Sequence, residues 1–372
     1  MPVPAAGSFL KKARPLNTLI DTLGIPLAAL LTAMLLFAGF IWAVGQSPAE
    51  VFMLLYQGGF GSAFSWQNTL LRASPLILTG LAVAIPAQAG MVIIGGEGAL
   101  VLGGLASAMA GLALSALPPP LVQTGMLLAG ALMGAFWIGL SGWLRSYRGV
   151  NETISSLLLA YIGIALLNHF VEGPFRDPTS LNKPSTVPIG DVNLLPHIPG
   201  TEVHVGLLIG IAFALAAWVV MRFTTIGFGL RTVGGNPRAA QMAGLQVGLW
   251  TVGAAAAGGA AAGLAGGIEV AAVHGSANAA LIAGYGNAGI LVAFLARQNP
   301  LAVIPVAILI GGINAAGGML QRRLDMPDAT VLVLQGIIFI VILTSDTLLG
   351  RVRRRSIAPR PPAATAEAGA AS

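Results

Sequence analysis

The chain has 372 residues, of which 56% are hydrophobic and only 9% are charged, and its formal net charge is +6. A soluble domain carries about 25% charged residues, so this composition excludes a soluble globular protein and predicts an all-α, polytopic transmembrane helical bundle. There is no cysteine, which excludes disulfides, thiolate metal sites and a thiol nucleophile.

Ten apolar segments approach the length needed to cross a hydrocarbon layer of about 30 Å, which takes about 20 helical residues. Together they form a predicted transmembrane domain over residues 24–347, with spans at 24–45, 70–89, 97–117, 121–144, 151–171, 204–222, 246–270, 279–296, 300–320 and 328–347. The first is too long for an ordinary cleavable signal, so we expect a retained helix.

Basic residues predict the orientation of the spans, because cytoplasmic loops carry an excess of Lys and Arg. They place the N-terminal segment 1–23 and the basic, then disordered, tail 348–372 in the cytoplasm. Arg72 falls beside an external loop. Arg322 and Arg323 fit only if they face an aqueous vestibule or if segment 279–296 is re-entrant.

Two external features are predicted. Ser47-Pro48-Ala49-Glu50 matches a capping box and precedes an apolar face, which favours a short helix lying on the outer surface and ending at Gly58. Residues 172–203 are polar and rich in proline, so we expect a large external loop.

A cytoplasmic loop over residues 223–245 contains a concentration of charge and helix-terminating residues, Gly227–Gly244. Asn236 is placed to cap a helix whose first residue is Pro237, and Gly244 is placed to end it after two turns. A short capped helix on a membrane surface is typical of a docking element.

A weak sequence similarity, or echo, relates Gly95-Gly96-Glu97-Gly98 to Gly266-Gly267-Ile268-Glu269, since each pairs glycines with one acid. Two halves related by an inverted repeat would produce such an echo, for which one short match is limited support.

The sequence predicts no catalytic residue and no metal site. None of the three lysines stands in a phosphate-binding Gly-x-x-x-x-Gly-Lys-Ser/Thr loop, and no histidine shows metal-ligand spacing. Gly284–Gly289 matches Gly-x-Gly-x-x-Gly without a strand around it, so we expect it to break a helix where a solute passes. The positive net charge does not indicate a nucleic-acid partner, because most Lys and Arg residues lie at the ends of the apolar segments.

Ionisable and amide side chains near apolar segments are the candidates for lining a solute path, because their burial is costly. They are Glu97, Asn151, Glu152, Glu269, Asn278, Asn287 and Asn314. Each has a structural alternative. Glu97 could organise a broken helix, Glu152 could pair with Arg148, and the amides could join helices.

Several blocks together resemble the permeases of ABC importers for branched-chain amino acids, ribose and nucleosides, most closely the nucleoside-type branch, over most of residues 24–347. The blocks are Met91–Gly104, Gly149–Ile162, Gly173–Pro178, Gly227–Gly244 and Asn299-Pro300-Leu301. The chain departs from the family at Val92-Ile93-Ile94-Gly95-Gly96, where relatives read Phe-Asn-Ile-Gly, and at Ala99, which replaces a glutamine. The missing asparagine and glutamine remove hydrogen-bonding groups from this region, so the resemblance does not fix the identity of the solute.

The resemblance implies a nucleoside permease of the bacterial inner membrane that works by alternating access. Its partners would be ABC ATPase subunits, a second identical or related permease, an external solute-binding protein and membrane lipid. ATP and Mg would be bound by the ATPase, so no cofactor belongs to this chain. The segment Gly227–Gly244, hereafter the coupling segment, would sit in a groove of the ATPase through Arg231, Gly234, Gly235, Asn236, Pro237, Arg238, Ala239, Ala240 and Gly244.

Two alternatives stay open at this point. An ion-coupled secondary transporter would use Glu97, Glu152 and Glu269 as a relay. A permease of the same family could instead carry a sugar or a branched-chain amino acid.

Overall fold

The structure is a computed structural model that describes residues 25–180, 182–327 and 329–357, with side chains for residues 28–180, 182–327 and 329–345. The predicted N-terminal segment 1–23 and the end of the predicted tail, from residue 358, lie outside the described residues.

Thirteen α-helices follow one another in the described ranges. They are α1 (Ile25–Ala43), α2 (Pro48–Phe60), α3 (Ala63–Gln88), α4 (Gly96–Ala113), α5 (Pro119–Arg148), α6 (Glu152–Glu172), α7 (Gly206–Phe223), α8 (Thr225–Gly235), α9 (Pro237–Met242), α10 (Val247–Glu269), α11 (Tyr285–Leu295), α12 (Pro300–Leu324) and α13 (Ala329–Ile357). A π-helical turn (Val270–His274) continues α10, and 3₁₀ turns occupy Asp191–Asn193 and Ala279–Leu281. The predicted all-α class is confirmed.

Seven helices in the described part of the chain are long and apolar enough to cross a membrane: α3, α4, α5, α6, α7, α10 with its π-helical turn, and α12. The pair α1 and α2 adds an eighth if it is counted as one span, although its two helices are bent by 119°. Shorter apolar helical stretches cover 279–295 and 329–345. The predicted count of about ten spans and the cytoplasmic placement of both termini stay predictions.

Helix α2 packs against the bundle along one side, and its predicted position on the outer surface stays a prediction. Val51 and Leu54 are buried, and a Cβ added to Gly58 would lie 2.8 Å from the Cα of Ala316 on α12. Ser47 precedes the helix without a side-chain cap. The helix therefore packs into the bundle, because its two adjacent glycines, Gly58 and Gly59, allow close contact with α12.

Glycines also produce a close helix contact between α5 and α10. A Cβ on Gly263 would collide with the carbonyl of Gly130 and lie 2.9 Å from the Cα of Gly134. On the other side of α10, Gly266 packs against the backbone of Leu100 on α4. The abundance of glycine thus follows from backbone-to-backbone packing, which a membrane bundle uses in place of large interlocking side chains.

The segment predicted as a span at 279–296 is not one continuous helix. A 3₁₀ turn is followed by Gly284, whose φ of +79° is in the left-handed region, and α11 starts only at Tyr285. With 11 residues, α11 is about 16 Å long, about half the hydrocarbon thickness. The span prediction was wrong here because mean hydropathy does not register a glycine break.

The structure describes the predicted loop at 172–203 except for Leu181. Its backbone there is irregular apart from one 3₁₀ turn. It runs along the segment after α10: the N–H groups of Leu195, Ile189 and Thr186 donate to the carbonyls of Ala271, Gly275 and Ala277. The loop therefore covers the π-helical turn and the irregular segment that leads to α11.

The predicted sequence echo gains no support. Glu97 lies in the first turn of α4, whereas Glu269 is the last residue of α10. Because corresponding residues of a repeat should occupy corresponding positions in their helices, this match does not identify one, and the inverted repeat stays a prediction.

Candidate functional site

The coupling segment folds into two consecutive helices joined at Asn236. The Asn236 side-chain oxygen accepts hydrogen bonds from the N–H groups of Arg238 and Ala239, both at 3.1 Å, so it caps α9 as expected. At the other end, Gly244 donates to the Gln241 carbonyl and Leu245 donates to the Ala240 carbonyl, with Gly244 at a φ of +83°. This double closure is a Schellman motif, which confirms the predicted helix and its ending.

The residues of the coupling segment divide between an inner and an outer side. Gly234 packs on the turn after α3, where a Cβ would collide with the Gln88 carbonyl, and Ala240 is completely buried. On the outer side, a Cβ on Gly235 would meet no atom within 4 Å, and Met242 is 86% exposed. The segment is thus seated on the bundle by its small residues.

Most of the residues predicted to contact the ATPase are exposed. The exposed ones are Arg231, Asn236, Pro237, Arg238 and Gly244, and Ala239 is half-buried. The guanidinium of Arg231 donates to the carbonyl of Met221 near the end of α7. Since that carbonyl has no partner within its own helix, Arg231 helps to close α7 as well as carrying charge.

Sequence reasoning missed helix α8, which precedes the capped turn. Its residues Phe228 and Ile226 are 66% and 48% exposed, so the outer surface of the segment is apolar as well as basic. A cavity of about 810 Å³ lies behind α8, between it, α7 and the start of α10. The lining, which includes Leu230, Leu245 and Trp250, is almost entirely apolar and offers little to a polar solute.

Glu97 joins two helices that begin next to each other inside the bundle. Its side-chain oxygens accept hydrogen bonds from the N–H groups of Gly284 at 2.8 Å and Gly286 at 2.6 Å. These N–H groups lie at the start of α11, where a helix has no internal partners for them and carries partial positive charge. Glu97 therefore caps a broken helix 187 residues away in sequence.

Asn151 and Glu152 lie at the start of α6. The Asn151 oxygen accepts from the N–H groups of Thr153 and Ile154, and Glu152 forms an ion pair with Arg145 at 2.6 Å. The expected partner, Arg148, is not the one used. Both residues thus have structural roles at this helix end.

A third acid, Glu269, lies in a separate polar cluster at the end of α10. Its nearest basic atom is Nε2 of His274, 3.7 Å away, and both side chains are mostly buried, with 6% and 23% exposed. Arg72 on α3 and Tyr285 at the start of α11 are close enough to interact with it electrostatically. Arg72 is therefore part of a long helix, nine residues after its start, and not of a loop; its predicted position near the external side stays a prediction.

The other three candidate amides are dispersed. Asn278 caps the 3₁₀ turn by accepting from Ala280, and Asn287 is exposed on α11. Asn314 on α12 accepts a hydrogen bond from Gln335 on α13. No side-chain hydrogen bond joins these three amides to an acid among the described residues, and Asn314 connects α12 to α13, as the structural alternative for the amides predicted.

Within the described residues, no group of three or more His, Asp or Glu side chains has a metal-binding arrangement. Arg322 and Arg323 lie in the exposed last turn of α12.

Comparison with known proteins agrees with this architecture. Residues 65–343 match the family model described as the permease component of the branched-chain amino acid transport system. The glucose ABC transporter permease TsgB13 of Haloferax volcanii is 33% identical over 87% of each chain. The guanosine permease NupP of Bacillus subtilis is 28% identical over 89% of this chain and 97% of its own length, and the nucleoside permease NupB of Lactococcus lactis is 27% identical over 85% and 90%.

The matched residues span more than half of the chain and include both the coupling segment and the buried polar cluster. The chain is thus a multi-pass membrane protein that belongs to the branched-chain amino acid transport system permease family of ABC transporters.

Proposed function

We propose that this chain is the permease subunit of an ABC importer that moves a nucleoside across the bacterial inner membrane by ATPase-driven alternating access. The observation that carries the proposal is the coupling segment with its double-capped helix α9: Gly234 and Ala240 seat the segment on the bundle, and Gly235 and Met242 are exposed. A rigid element of this kind can transmit a push from an ATPase to the helices beneath it.

The coupling segment contacts the parts of the bundle that would have to move. Gly234 rests on the turn Gln88–Gly90 after α3, and Gly229 on α8 packs against the ring of Trp250 on α10. Helices α3 and α10 also carry Arg72 and Glu269. A displacement of α9 is therefore transmitted through two directly connected helices to the polar cluster.

The proposed partners are ABC ATPase subunits that bind ATP and Mg, a second permease subunit, and an external solute-binding protein. Biasing two packings of the bundle from 1:99 to 99:1 takes about 5.5 kcal/mol of differential binding, which ATP-driven partners can supply through a docked helix. Both termini would be cytoplasmic, and the loop 172–203 would face the binding protein.

Nucleosides are the proposed solutes because several relatives, including NupP and NupB, are named for nucleoside or guanosine transport. A sugar is the second candidate, since TsgB13 is a glucose permease with higher identity. Uptake of labelled guanosine, glucose and leucine by the reconstituted transporter separates these solutes, and uptake of leucine alone would contradict both.

An ion-coupled mechanism is less consistent with the buried acids. Glu97 is occupied by two backbone N–H groups and Glu152 by Arg145, which leaves Glu269 as the remaining buried acid of the three for a relay. Proteoliposomes containing this chain alone would show gradient-dependent uptake if it were a secondary transporter, and we expect none.

Co-purification tests the coupling role. Tagged chain purified from its native membrane should retain an ABC ATPase detectable by mass spectrometry. Gly235→Trp should abolish that association, because the side chain would project into the docking surface without touching its own bundle. Gly336→Trp is the matched control, since Gly336 on α13 is also helical and also has no atom within 4 Å of a Cβ. Equal ATPase recovery from both variants would refute the proposal.

A further inference from the structure

Arg72, Glu269 and Tyr285 are polar groups within the bundle, and Glu269 also forms a long ion-pair contact with Nε2 of His274, at 3.7 Å. No hydrogen bond from any of them to another described residue is found, and the Nε atom of Arg72 is fully buried without a partner. Arg72 and Glu269 interact electrostatically, but their charged atoms are not within the 4.0 Å of an ion pair. Because buried polar groups are nearly always satisfied, the unpaired Nε atom of Arg72 beside a buried acid requires an explanation.

The backbone around this cluster is irregular on two sides. The π-helical turn Val270–His274 directly follows Glu269, and the break at Gly284 directly precedes Tyr285. Irregular backbone within a membrane bundle is tolerated where it lines a cavity, and π-helical turns are frequent at functional sites. Helix α3 packs against both α10 and α11, so Arg72, Glu269 and Tyr285, one on each of these helices, lie near one another.

From this arrangement, we propose that Arg72 and Glu269, with Tyr285 beside them, bind the adjacent hydroxyl groups of a neutral, sugar-containing solute. The inference deepens the proposed function and rests on it, since it assigns residues and a ligand class to the importer's path. Glu97 is excluded from this role because its oxygens are already bonded to the start of α11.

The ligand class follows from donor and acceptor types. A guanidinium only donates hydrogen bonds and a carboxylate only accepts them, whereas each hydroxyl group does both. Two adjacent hydroxyls can therefore accept from Arg72 and donate to Glu269 at once. The charges of Arg72 and Glu269 are opposite, which favours a neutral solute over an anion or a cation, and Tyr285 adds an aromatic ring beside them that is partly packed against the apolar core.

The test uses the complete transporter, with its ATPase and binding protein, in proteoliposomes. Labelled guanosine and glucose are the hydroxylated probes, and their 2,3-dideoxy forms (2′,3′-dideoxyguanosine for guanosine) are the matched analogues. Glu269→Gln and Arg72→Gln should raise KM for the hydroxylated probe roughly 10- to 150-fold, the range for losing a hydrogen bond to a charged group. KM for the dideoxy analogue should be high in the wild type and unchanged in the variants.

Glu50→Gln, at an exposed acid on α2, is the control and should leave both KM values unchanged. Glu269→Asp and Arg72→Lys provide conservative variants if either amide variant fails to co-elute with the ATPase. Equal effects on the hydroxylated probe and its dideoxy analogue would overturn the inference in favour of a structural role. Uptake of leucine instead of either hydroxylated probe would also overturn it while leaving ABC import intact, whereas no ATP-dependent uptake by the wild type would refute the proposed function itself.

Discussion

At the scale of single residues, Glu97 shows what the sequence can and cannot reveal. An acid among glycines in an apolar segment identified it as either a solute contact or an organiser of a broken helix, and its hydrogen bonds favour the second interpretation. The sequence could not identify Gly284 and Gly286 as its partners, because nothing local relates residues 187 and 189 positions apart.

Replacing Glu97 should destabilise the bundle. Glu97→Ala leaves the N–H groups of Gly284 and Gly286 without partners, at a cost of about 1–3 kcal/mol for each. The midpoint of thermal unfolding in detergent should therefore fall. Glu50→Ala, at an exposed acid, should leave the midpoint unchanged; a Glu97→Ala protein as stable as the wild type would refute the capping role.

Gly263 is a second residue whose role is clear only from its neighbours. Gly263→Ala inserts a methyl group against the backbone of Gly130 and Gly134 on α5, and overpacking of this kind costs about 1–3 kcal/mol. Gly253→Ala on the same helix is the matched control, because a Cβ there meets no atom within 4 Å. Thermal unfolding should separate the two variants, and equal midpoints would contradict the described α5–α10 contact.

His204 makes stability depend on pH. It is 1% exposed, its ring nitrogens have no hydrogen-bond partner among the described residues, and burial, followed by the charge of His197, lowers its pKa to about 4. The unfolded chain therefore binds a proton below about pH 6.5, whereas the folded chain does so only near pH 4. As the pH falls across this window, the free energy of unfolding should drop by at most about 3 kcal/mol.

Thermal unfolding measured between pH 7 and pH 4.5 checks this dependence. His204→Gln should flatten it, because glutamine has no proton to bind. A pH profile identical to that of the wild type would show that other groups are responsible.

At the scale of elements, local signals predicted the capped helix well. Asn236, Pro237 and Gly244 occupy the expected positions because capping depends on residues only two to five apart. Helix α8 escaped prediction, since its glycines, including Gly227 and Gly229, suggested a loop. In the structure those glycines instead permit close packing, on Met221 and Trp250 respectively.

Asn236→Ala should loosen α9 without unfolding the bundle. Loss of an N-cap costs about 0.5–2 kcal/mol, which is large for a helix of 6 residues. Amide hydrogen exchange at residues 238–242 should accelerate and ATPase recovery should fall, whereas Asn151→Ala, which removes the cap of the much longer α6, should change exchange only at the start of that helix. Unchanged exchange at 238–242 would refute the cap's importance.

Hydropathy predicted most long helices but failed at 279–296. Window averages record how apolar a segment is, and α11 is apolar enough, but they do not record the left-handed turn at Gly284. For the same reason α2, predicted as a surface helix, could not be assigned to α12 before the contact of Gly58 with Ala316 was known.

At the scale of the whole molecule, the bundle connects the exposed helix α9 with the polar cluster formed by Arg72, Glu269 and Tyr285. Helices α3 and α10 run between them, and both contact their neighbours through small residues. Such close-packed contacts favour a switch between two discrete packings over a gradual sliding of one helix along another. The composition alone predicted a membrane bundle, whereas the convergence of Arg72, Glu269 and Tyr285 required three-dimensional contacts between residues far apart in sequence.

The most direct test of this account maps which side of the membrane carries α9. Since the chain has no cysteine, Met242→Cys (86% exposed in the wild type) and Val192→Cys (74% exposed, in the loop 172–203) each introduce a single thiol. In spheroplasts, a membrane-impermeant maleimide should label Val192→Cys and not Met242→Cys. After permeabilisation Met242→Cys should become labelled, and a thiol cross-linker should join it to an ABC ATPase. Labelling of Met242→Cys from outside intact spheroplasts would contradict the account, because no cytoplasmic ATPase could then reach the coupling segment.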